Sequence, residues 1–312
     1  MTISVMNIIK IIALLTAVFS FTAIFNDTHR ILELTSHFRL QYLLSSLLCL
    51  AIFFASKHYQ YAITLLVIAA INSAYILPWF LSLNTHQITD KTTTIKILLS
   101  NVNASNTHYD KAIDLVLRES PDIFIVQEVN HSWLSALQSI KHTYPYEHSI
   151  PREDNFGIAV FSKHPFASTK DIVLGISGLP SLEIMNTIGD KQFKLITTHP
   201  LPPISSYTYQ SRNLQLQDAA IAAKNTAEPL VVIGDLNITM WSTDYTPLEK
   251  VNLKNCRKGF GVLPTWPTQL QFSALMIPID HCLVSEHFSV KDMSTGENIG
   301  SDHLPIIVEV QL

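Results

Sequence analysis

Charged residues are almost absent from the first 88 positions, and this gap limits the possible folds more than any other feature. The only formal charges there are Lys10, Asp27, Arg30, Glu33, Arg39 and Lys57. Residues 96–312 hold 16 Lys/Arg and 22 Asp/Glu, a net charge of −6. The sequence therefore predicts a membrane region at residues 1–84, a linker at 85–94 and a mildly acidic globular domain at 95–312.

Three apolar segments fill the membrane region: 11–25, 40–55 and 59–83. A helix needs about 20 mostly apolar residues to cross a bilayer, so the third segment qualifies directly and the first two need their flanks. A cleaved signal peptide is the alternative for the first segment. However, Asn26-Asp-Thr-His-Arg30 follows it where small residues would mark a cleavage site. We therefore expect about three transmembrane helices.

The charges next to these segments do not determine which side of the membrane the N-terminus occupies. Lys10 and Lys57 lie on one side of a three-span arrangement, and Arg30 and Arg39 lie on the other. We expect an integral protein of a bacterial inner membrane, with membrane lipid as the partner of the helices and the domain on the extracytoplasmic side. The opposite orientation stays open, and the sequence identifies no protein partner.

Strands alternate with helices from residue 94 onwards, which predicts a layered α/β domain. The predicted helices are 111–119 and 210–224, and the predicted strands are 95–99, 123–126, 157–161, 193–198, 230–233, 281–284 and 306–310. The acidic balance argues against sequence-independent attraction to nucleic acid, although it does not exclude a local basic groove.

Polar residues recur where the predicted strands begin or end. After the buried strand 230–233, Gly234 predicts a tight bend, and alternation places Asp235 and Asn237 on the same side of the chain. Each such residue alone has an ordinary structural explanation, such as a turn or a cap. Their recurrence predicts one convergent site, and the remaining members are Asn101, Glu128, His199, Asp280, Asp302 and His303.

These residues occur in motifs that resemble the endonuclease/exonuclease/phosphatase superfamily, in the order seen there. The motifs are Ser100-Asn-Val-Asn103, Val126-Gln-Glu128, Thr197-Thr-His199, Gly234-Asp-Leu-Asn237, Ile279-Asp280 and Gly300-Ser-Asp-His303. The resemblance covers residues 95–312. It implies a four-layer sandwich in which two β-sheets pack face to face between helices.

The resemblance also implies a metal site. Glu128 resembles the principal Mg²⁺ ligand of the family, with Mn²⁺ as a possible substitute, and Asp302 resembles a second carboxylate on the metal side. Asn101 is similar to the amide that supports both the metal shell and the bound phosphate. One protein carboxylate can suffice because Mg²⁺ prefers hard oxygen ligands and keeps several waters.

The remaining motif residues resemble the family's catalytic groups. Asp235 matches the residue that orients or deprotonates the attacking water, and Asn237 is its positioning partner. His303 resembles the histidine that contacts the scissile phosphate, with Asp280 orienting it. His199 matches a second histidine that faces the phosphate.

Arg212, on the helix after His199, is a further candidate phosphate ligand. A lone arginine on a helix is more often a solvated surface residue, so this assignment has a structural alternative. Selectivity for the substrate is expected from the segments 201–209 and 259–272, which carry aromatic side chains.

Together these features predict a membrane-anchored, Mg²⁺-dependent phosphoesterase. It would hydrolyse a phosphodiester or phosphomonoester by metal-assisted attack of water, with a nucleic acid, a phospholipid headgroup or a small molecule as the substrate. The alternative is a catalytically silent, membrane-tethered binding or scaffold module of the same fold.

Overall fold

A computed structural model describes residues 4–81 and 93–312, so most of the predicted linker at 85–94 lies outside the described residues. The N-terminal part forms four helices: α1 (Val5–Thr22), α2 (Arg30–Ser36), α3 (Arg39–Ala55) and α4 (Tyr59–Ile76). With their short C-terminal extensions, α1 and α4 each become 21 residues long. These two helices are long and apolar enough to cross a membrane.

The second predicted span differs from the expectation. Helix α3 is 17 residues long, and the axis of α2 meets it at an angle of 62°. The two pass the length test only when the bent pair is taken together, so the structure supports two candidate spans, or three if this pair counts as one. The bend lies where Glu33 and His37 turn towards the globular domain.

Helices α1, α3 and α4 pack against one another through mostly small side chains. A cluster of Ala13, Cys49, Phe53, Ala62 and Leu65 lies between them. Hydrogen bonds also cross the cluster, as expected where helices pack in lipid. Residues 93–312 form the remaining four helices, α5 (Tyr109–Glu119), α6 (His131–Leu137), α7 (Ser206–Lys224) and α8 (Thr246–Lys250).

The same part of the chain forms two six-stranded sheets. The first has the order β11-β12-β1-β2-β4-β3 and the second β5-β6-β7-β8-β10-β9. The strands are β1 (Thr94–Asn101), β2 (Ile123–Gln127), β3 (Tyr146–Ile150), β4 (Ile158–Ser162), β5 (Phe166–Val173), β6 (Pro180–Ile188), β7 (Lys191–Thr198), β8 (Leu230–Asp235), β9 (Lys254–Asn255), β10 (Asp280–Val284), β11 (Ser289–Thr295) and β12 (Ile306–Gln311).

Side-chain alternation along each strand builds the layers. In β1, Ile97 and Leu99 point into the core between the two sheets, whereas Leu98 packs outwards in the cluster that contains Leu115 of α5. Helices α7 and α8 cover the outer face of the second sheet. The predicted four-layer α/β sandwich is therefore confirmed.

The N-terminal helices do not stand apart from this sandwich. Ile76 and Trp79, at the end of α4, are buried in the same cluster as Leu253 and Val262 of the domain. The Trp79 carbonyl accepts hydrogen bonds from two backbone amides of the segment 259–261. The helical region therefore packs on the outer side of the second sheet.

Candidate active site

Asp235 is the centre of the polar cluster at the edge of the two sheets. It ends β8 and lies opposite Asp280 of β10 in the antiparallel register. Its Oδ2 is 3.2 Å from the Asn101 amide nitrogen, 3.4 Å from His199 Nε2 and 3.5 Å from His303 Nε2. Burial alone would raise the pKa of Asp235, but the two histidines outweigh that effect and lower the pKa. The carboxylate is therefore held ionised.

Gly234 serves a different purpose from the predicted bend. It lies within β8, and a Cβ built on it would sit 2.0 Å from the Thr198 carbonyl oxygen and 2.8 Å from the Gln127 amide nitrogen. Contacts this short are sterically forbidden, so only glycine allows β7 and Gln127 to approach this closely. The residue thus brings two strand ends together beside Asp235.

Gln127 is a site residue that the sequence reasoning missed. Its side-chain oxygen accepts a 2.7 Å hydrogen bond from the Asp235 backbone amide, and its nitrogen donates to the Thr198 carbonyl at 2.9 Å. One fully buried amide therefore links the catalytic edges of both sheets. A buried polar residue beside Glu128 at the end of an apolar strand was the available signal.

His303 lies between two carboxylates. Its Nδ1 is 2.9 Å from Asp280 Oδ2, and its Nε2 faces Asp235. Burial would lower the pKa of the imidazole, but Asp280 and Asp235 outweigh this and raise it to about 10. The ring is therefore protonated at neutral pH and positively charged.

His199 provides a second buried imidazole on the other side of Asp235. Burial opposes its charge, but the hydrogen bond and charge of Asp235, together with Glu128, raise the pKa of His199 above its ordinary value. Its ring packs against Phe156, with centroids 5.1 Å apart. The protonated His303 ring and the His199 ring, which Asp235 biases towards protonation, form an arrangement suited to an anion.

Glu128 combines a left-handed backbone conformation with a carboxylate that has few partners. Its φ of 61° is left-handed, which costs a side chain with a Cβ roughly 1–2 kcal/mol. Asn101 donates to its Oε1 at 2.9 Å. Burial raises its pKa more than His199 and Asn101 lower it. Within the described part of the chain, no Lys, Arg or His nitrogen lies within 4 Å of this carboxylate. A bound cation would supply the missing charge.

Asp302 is held by two neutral donors. The Asn103 amide donates to Oδ1 at 2.8 Å, and the Trp266 indole nitrogen donates to Oδ2 at 3.2 Å. Asn101 donates to both Glu128 and Asp235, so its nitrogen rather than its oxygen faces the carboxylates. As placed, Asn101 links the proposed metal side of the site to Asp235.

Asp235, Asp280 and His303 also form a group that could hold a metal ion by themselves. Both imidazole nitrogens of His303 face carboxylates, an arrangement already satisfied by a protonated ring. Glu128, in contrast, has no ion-pair partner within 4 Å in the described part of the chain, so it is the better candidate for a divalent ion.

Arg212 does not join the cluster. Its side chain is 0% exposed, and it contacts the Glu33 carboxylate at 3.2 Å and the Asn237 carbonyl at 3.1 Å. It is neither a solvated surface residue nor a group facing the pocket beside Asp235. The sequence reasoning missed Glu33, although a lone carboxylate in an apolar third of the chain was a visible signal.

The structure therefore brings together the side chains of Asn101, Glu128, His199, Asp235, Asp280 and His303 through direct contacts. Asp302 adjoins the cluster through Asn103 and His303. Asn237 joins it because its backbone amide donates to Asp235 Oδ1 at 3.0 Å. The catalytic and metal-binding roles of these residues stay predictions.

Solved structures with a similar fold span nearly the whole globular domain. A humanized TDP2 from D. rerio aligns with a TM-score of 0.59 at 16% identity, covering 70% of this chain and 98% of that one. The human Nocturnin catalytic domain aligns with a TM-score of 0.57 at 19% identity, covering 73% of this chain and 99% of that one. The 3′ phosphatase NExo from Neisseria, bound to product DNA hairpin, aligns with a TM-score of 0.56 at 18% identity, covering 69% of this chain and 98% of that one. At these identities the likeness establishes the fold alone.

A search of curated proteins by sequence finds no match. The model of the Endonuclease/Exonuclease/phosphatase family, in contrast, matches residues 97–303, more than half of the chain. This match spans every motif from Asn101 to His303. The protein therefore belongs to the endonuclease/exonuclease/phosphatase family.

Proposed function

We propose that this protein is a membrane-anchored, Mg²⁺-dependent phosphoesterase that hydrolyses a phosphate ester by attack of water. Members of the family are hydrolases that act on phosphoester bonds, and they generally use divalent metal ions. The observation that carries the proposal is Glu128, a half-buried carboxylate with no ion-pair partner within 4 Å among the described residues, next to the His199–Asp235–His303 cluster.

Glu128 and Asp302 are the side chains that would hold the metal, with Asn101 supporting Glu128. Mn²⁺ is a second candidate because it accepts the same oxygen ligands. When bound, the ion supplies Lewis-acid polarisation of a phosphoryl oxygen. Burial of Glu128 fits this role, because a divalent ion would offset the cost of its desolvated charge.

Side chains of the cluster would orient the attacking water and stabilise the charge that develops on the phosphate. Asp235 accepts a hydrogen bond from the attacking water and orients it towards phosphorus. The positive charge of His303, together with the His199 ring, would stabilise the phosphoryl oxygens on which negative charge develops. Asp280 fixes the His303 ring through Nδ1, and Asn237 fixes Asp235 through its backbone amide.

Exposed apolar side chains near the site favour a lipid phosphate ester. Ile204 and Tyr207 lie on the segment that follows His199, and Leu270, Phe272 and Leu275 lie on the segment before β10. Both segments are bonded to the N-terminal helices: Arg30 donates to the Ile204 carbonyl, and Gln41 donates to the Ala274 and Met276 carbonyls. An apolar rim continuous with candidate membrane helices suits a substrate held in a bilayer.

The test is a substrate panel with the full chain in lipid nanodiscs. It compares bis(4-nitrophenyl) phosphate, 4-nitrophenyl phosphate, DNA, RNA and a phospholipid of the disc, each with Mg²⁺ or with EDTA. We expect hydrolysis that EDTA abolishes and Mg²⁺ or Mn²⁺ restores, with the phospholipid preferred over nucleic acid. Hydrolysis that persists in EDTA would overturn the metal role. Inertness towards every class, without metal binding, would support the scaffold alternative.

The orientation in the membrane is a separate proposal. With α1 and α4 spanning and the bent pair α2–α3 crossing between them, the domain lies opposite the N-terminus, on the extracytoplasmic side. A reporter enzyme that is active only outside the cytoplasm, fused after Leu312, should be active. Activity confined to a cytoplasmic reporter at the same position would reverse the orientation.

A further inference from the structure

The loop after β8 carries Asn237, which contacts both Asp235 and the segment after His199. Asn237 has a φ of 50°, in the left-handed region, while its neighbours Leu236 and Ile238 are buried in the core. Its side-chain amide donates to the Pro200 carbonyl at 3.0 Å, and its backbone amide donates to Asp235 Oδ1. The position of Asn237 therefore sets both Asp235 and the segment that follows His199.

A buried ion pair holds Asn237 from the opposite side. Arg212 Nη1 donates to the Asn237 carbonyl at 3.1 Å, and Nη2 lies 3.2 Å from Glu33 Oε1. Both side chains are completely buried, so the pair is shielded from competing water. A second carboxylate, Asp244, lies 3.6 Å from Arg212 but is partly exposed and also accepts a hydrogen bond from Tyr209. Arg212 also donates to the neighbouring Asn213 side chain at 2.9 and 2.7 Å. Glu33 of α2 is thus its nearer carboxylate partner and the one that belongs to the helical region.

Three further contacts join the same loop to the N-terminal helices. His37 Nδ1 lies 3.0 Å from Thr239 Oγ1, and the Trp241 indole nitrogen donates to the Tyr75 carbonyl at 3.2 Å. Asn26 Oδ1 accepts 2.7 Å hydrogen bonds from both the backbone amide and the hydroxyl of Thr243. Residues 239, 241 and 243 therefore all contact the helical region, and Asn237 reaches it through Arg212.

We propose that the N-terminal helices are a positioning element of the active site as well as an anchor, with Glu33 acting through Arg212 to fix Asn237. The loop 236–243 then depends for its order on contacts that the domain at 95–312 cannot make by itself. Arg212 and Glu33 are positioning residues, because neither contacts Asp235, His199 or His303. The contacts themselves do not depend on which substrate is hydrolysed. The rate of the proposed hydrolysis is therefore only one of the ways to test this inference.

The primary variant is Glu33→Gln in the full chain in nanodiscs, which keeps the side-chain shape and removes the charge opposite Arg212. A shift of about 1 Å in a catalytic group can cost about 10²-fold in rate, so we expect kcat to fall by about that factor. KM for the soluble diester should change little, because the groups that bind it stay in place. Asn26→Ala is a milder second variant, with a smaller loss in the same direction.

A double-variant cycle tests the route through Arg212. If Glu33 acts through Arg212, the combination of Glu33→Gln and Arg212→Met should be no worse than Arg212→Met alone. Thr16→Val is the control. It removes the 2.8 Å hydrogen bond between Thr16 of α1 and Ser45 of α3, which lies inside the helical region. It should lower stability and leave kcat of the folded protein unchanged.

Hydrogen exchange gives a readout that does not require activity. In Glu33→Gln, amides of residues 236–243 should exchange faster while those of β8 stay protected, and Thr16→Val should leave residues 236–243 unchanged. Unaltered exchange in this loop, with a folded protein, would overturn the inference even if the wild type proved inert. A kcat within twofold of an active wild type would overturn it as well. An inert wild type with faster exchange in the variant would reject the proposed function and retain the inference.

Discussion

Replacing Asp235 by asparagine is expected to lower kcat by about 10³-fold, with a much smaller change in KM. The amide keeps the shape of the side chain but removes the charge that faces His199 and His303. It also loses one acceptor for the attacking water. The measurement is steady-state hydrolysis of the soluble diester by the full chain at neutral pH, with thermal melting as the check on folding.

Asp292→Asn is the matched control for this prediction. Asp292 is an exposed aspartate of β11, at the far edge of the first sheet, and the same chemical change there should leave kcat unaltered. If Asp235→Asn kept more than a tenth of wild-type kcat, Asp235 would not be the residue that orients water, and the reaction scheme would fail.

Replacing Glu128 by glutamine is expected to abolish the response to metal. A ligand at 100 times its Kd stabilises a folded protein by about 2.7 kcal/mol, so Mg²⁺ or Mn²⁺ should raise the melting temperature of the wild type. The variant should show no such rise, and its kcat should fall by about 10³-fold because several kcal/mol of charge stabilisation is lost. Without metal it should be at least as stable as the wild type, because burial disfavours the Glu128 charge.

Glu119→Gln provides the comparison for Glu128. Glu119 is a half-buried carboxylate whose partner is Lys96, at 2.9 Å, so a neutral side chain there should leave the metal response intact. A Glu128→Gln protein that still gained stability from Mg²⁺ would show that the ion binds elsewhere. The group formed by Asp235, Asp280 and His303 would then become the leading candidate.

The fold of the domain was predictable where strands are buried on both faces. Strands β2, β4 and β8 are mostly continuous apolar runs, because packed layers cover them on both sides. The sequence reasoning missed β3, β5, β6, β9 and β11. All but β6 lie at sheet edges, and β5 is mostly exposed, so hydrophobic periodicity carried little signal there. Strand β6 lies inside the second sheet, and its alternation of buried and half-buried residues was a missed signal.

The candidate site was predictable to the extent that strand ends meet at one edge. Asn101, Glu128, His199 and Asp235 each end a strand or directly follow one, so the topology of the sandwich brings them together. Arg212 could not be placed in this way. Its partner Glu33 is 179 positions away in sequence, and no local pattern reports a pairing formed only by packing.

The helical region was predictable as apolar segments but not as part of the site. The apolar segments in the sequence predicted α1 and α4. The bend between α2 and α3 accompanies contacts of Glu33 and His37 with the domain, which no apolar pattern indicates. A fragment restricted to residues 95–312 therefore loses these contacts to the loop 236–243. Studies of activity should use the full chain.

Side chains from four strand ends, Asn101, Glu128, His199 and Asp235, are expected to form one site for a divalent ion next to a bound oxyanion. The most direct measurement is an experimental structure of the full chain with Mn²⁺ and inorganic phosphate, using anomalous scattering to locate the metal. The account predicts a manganese peak about 2 Å from a Glu128 carboxylate oxygen, with the phosphate between that metal and the two histidines. A peak far from Glu128, or phosphate bound away from His199 and His303, would contradict it.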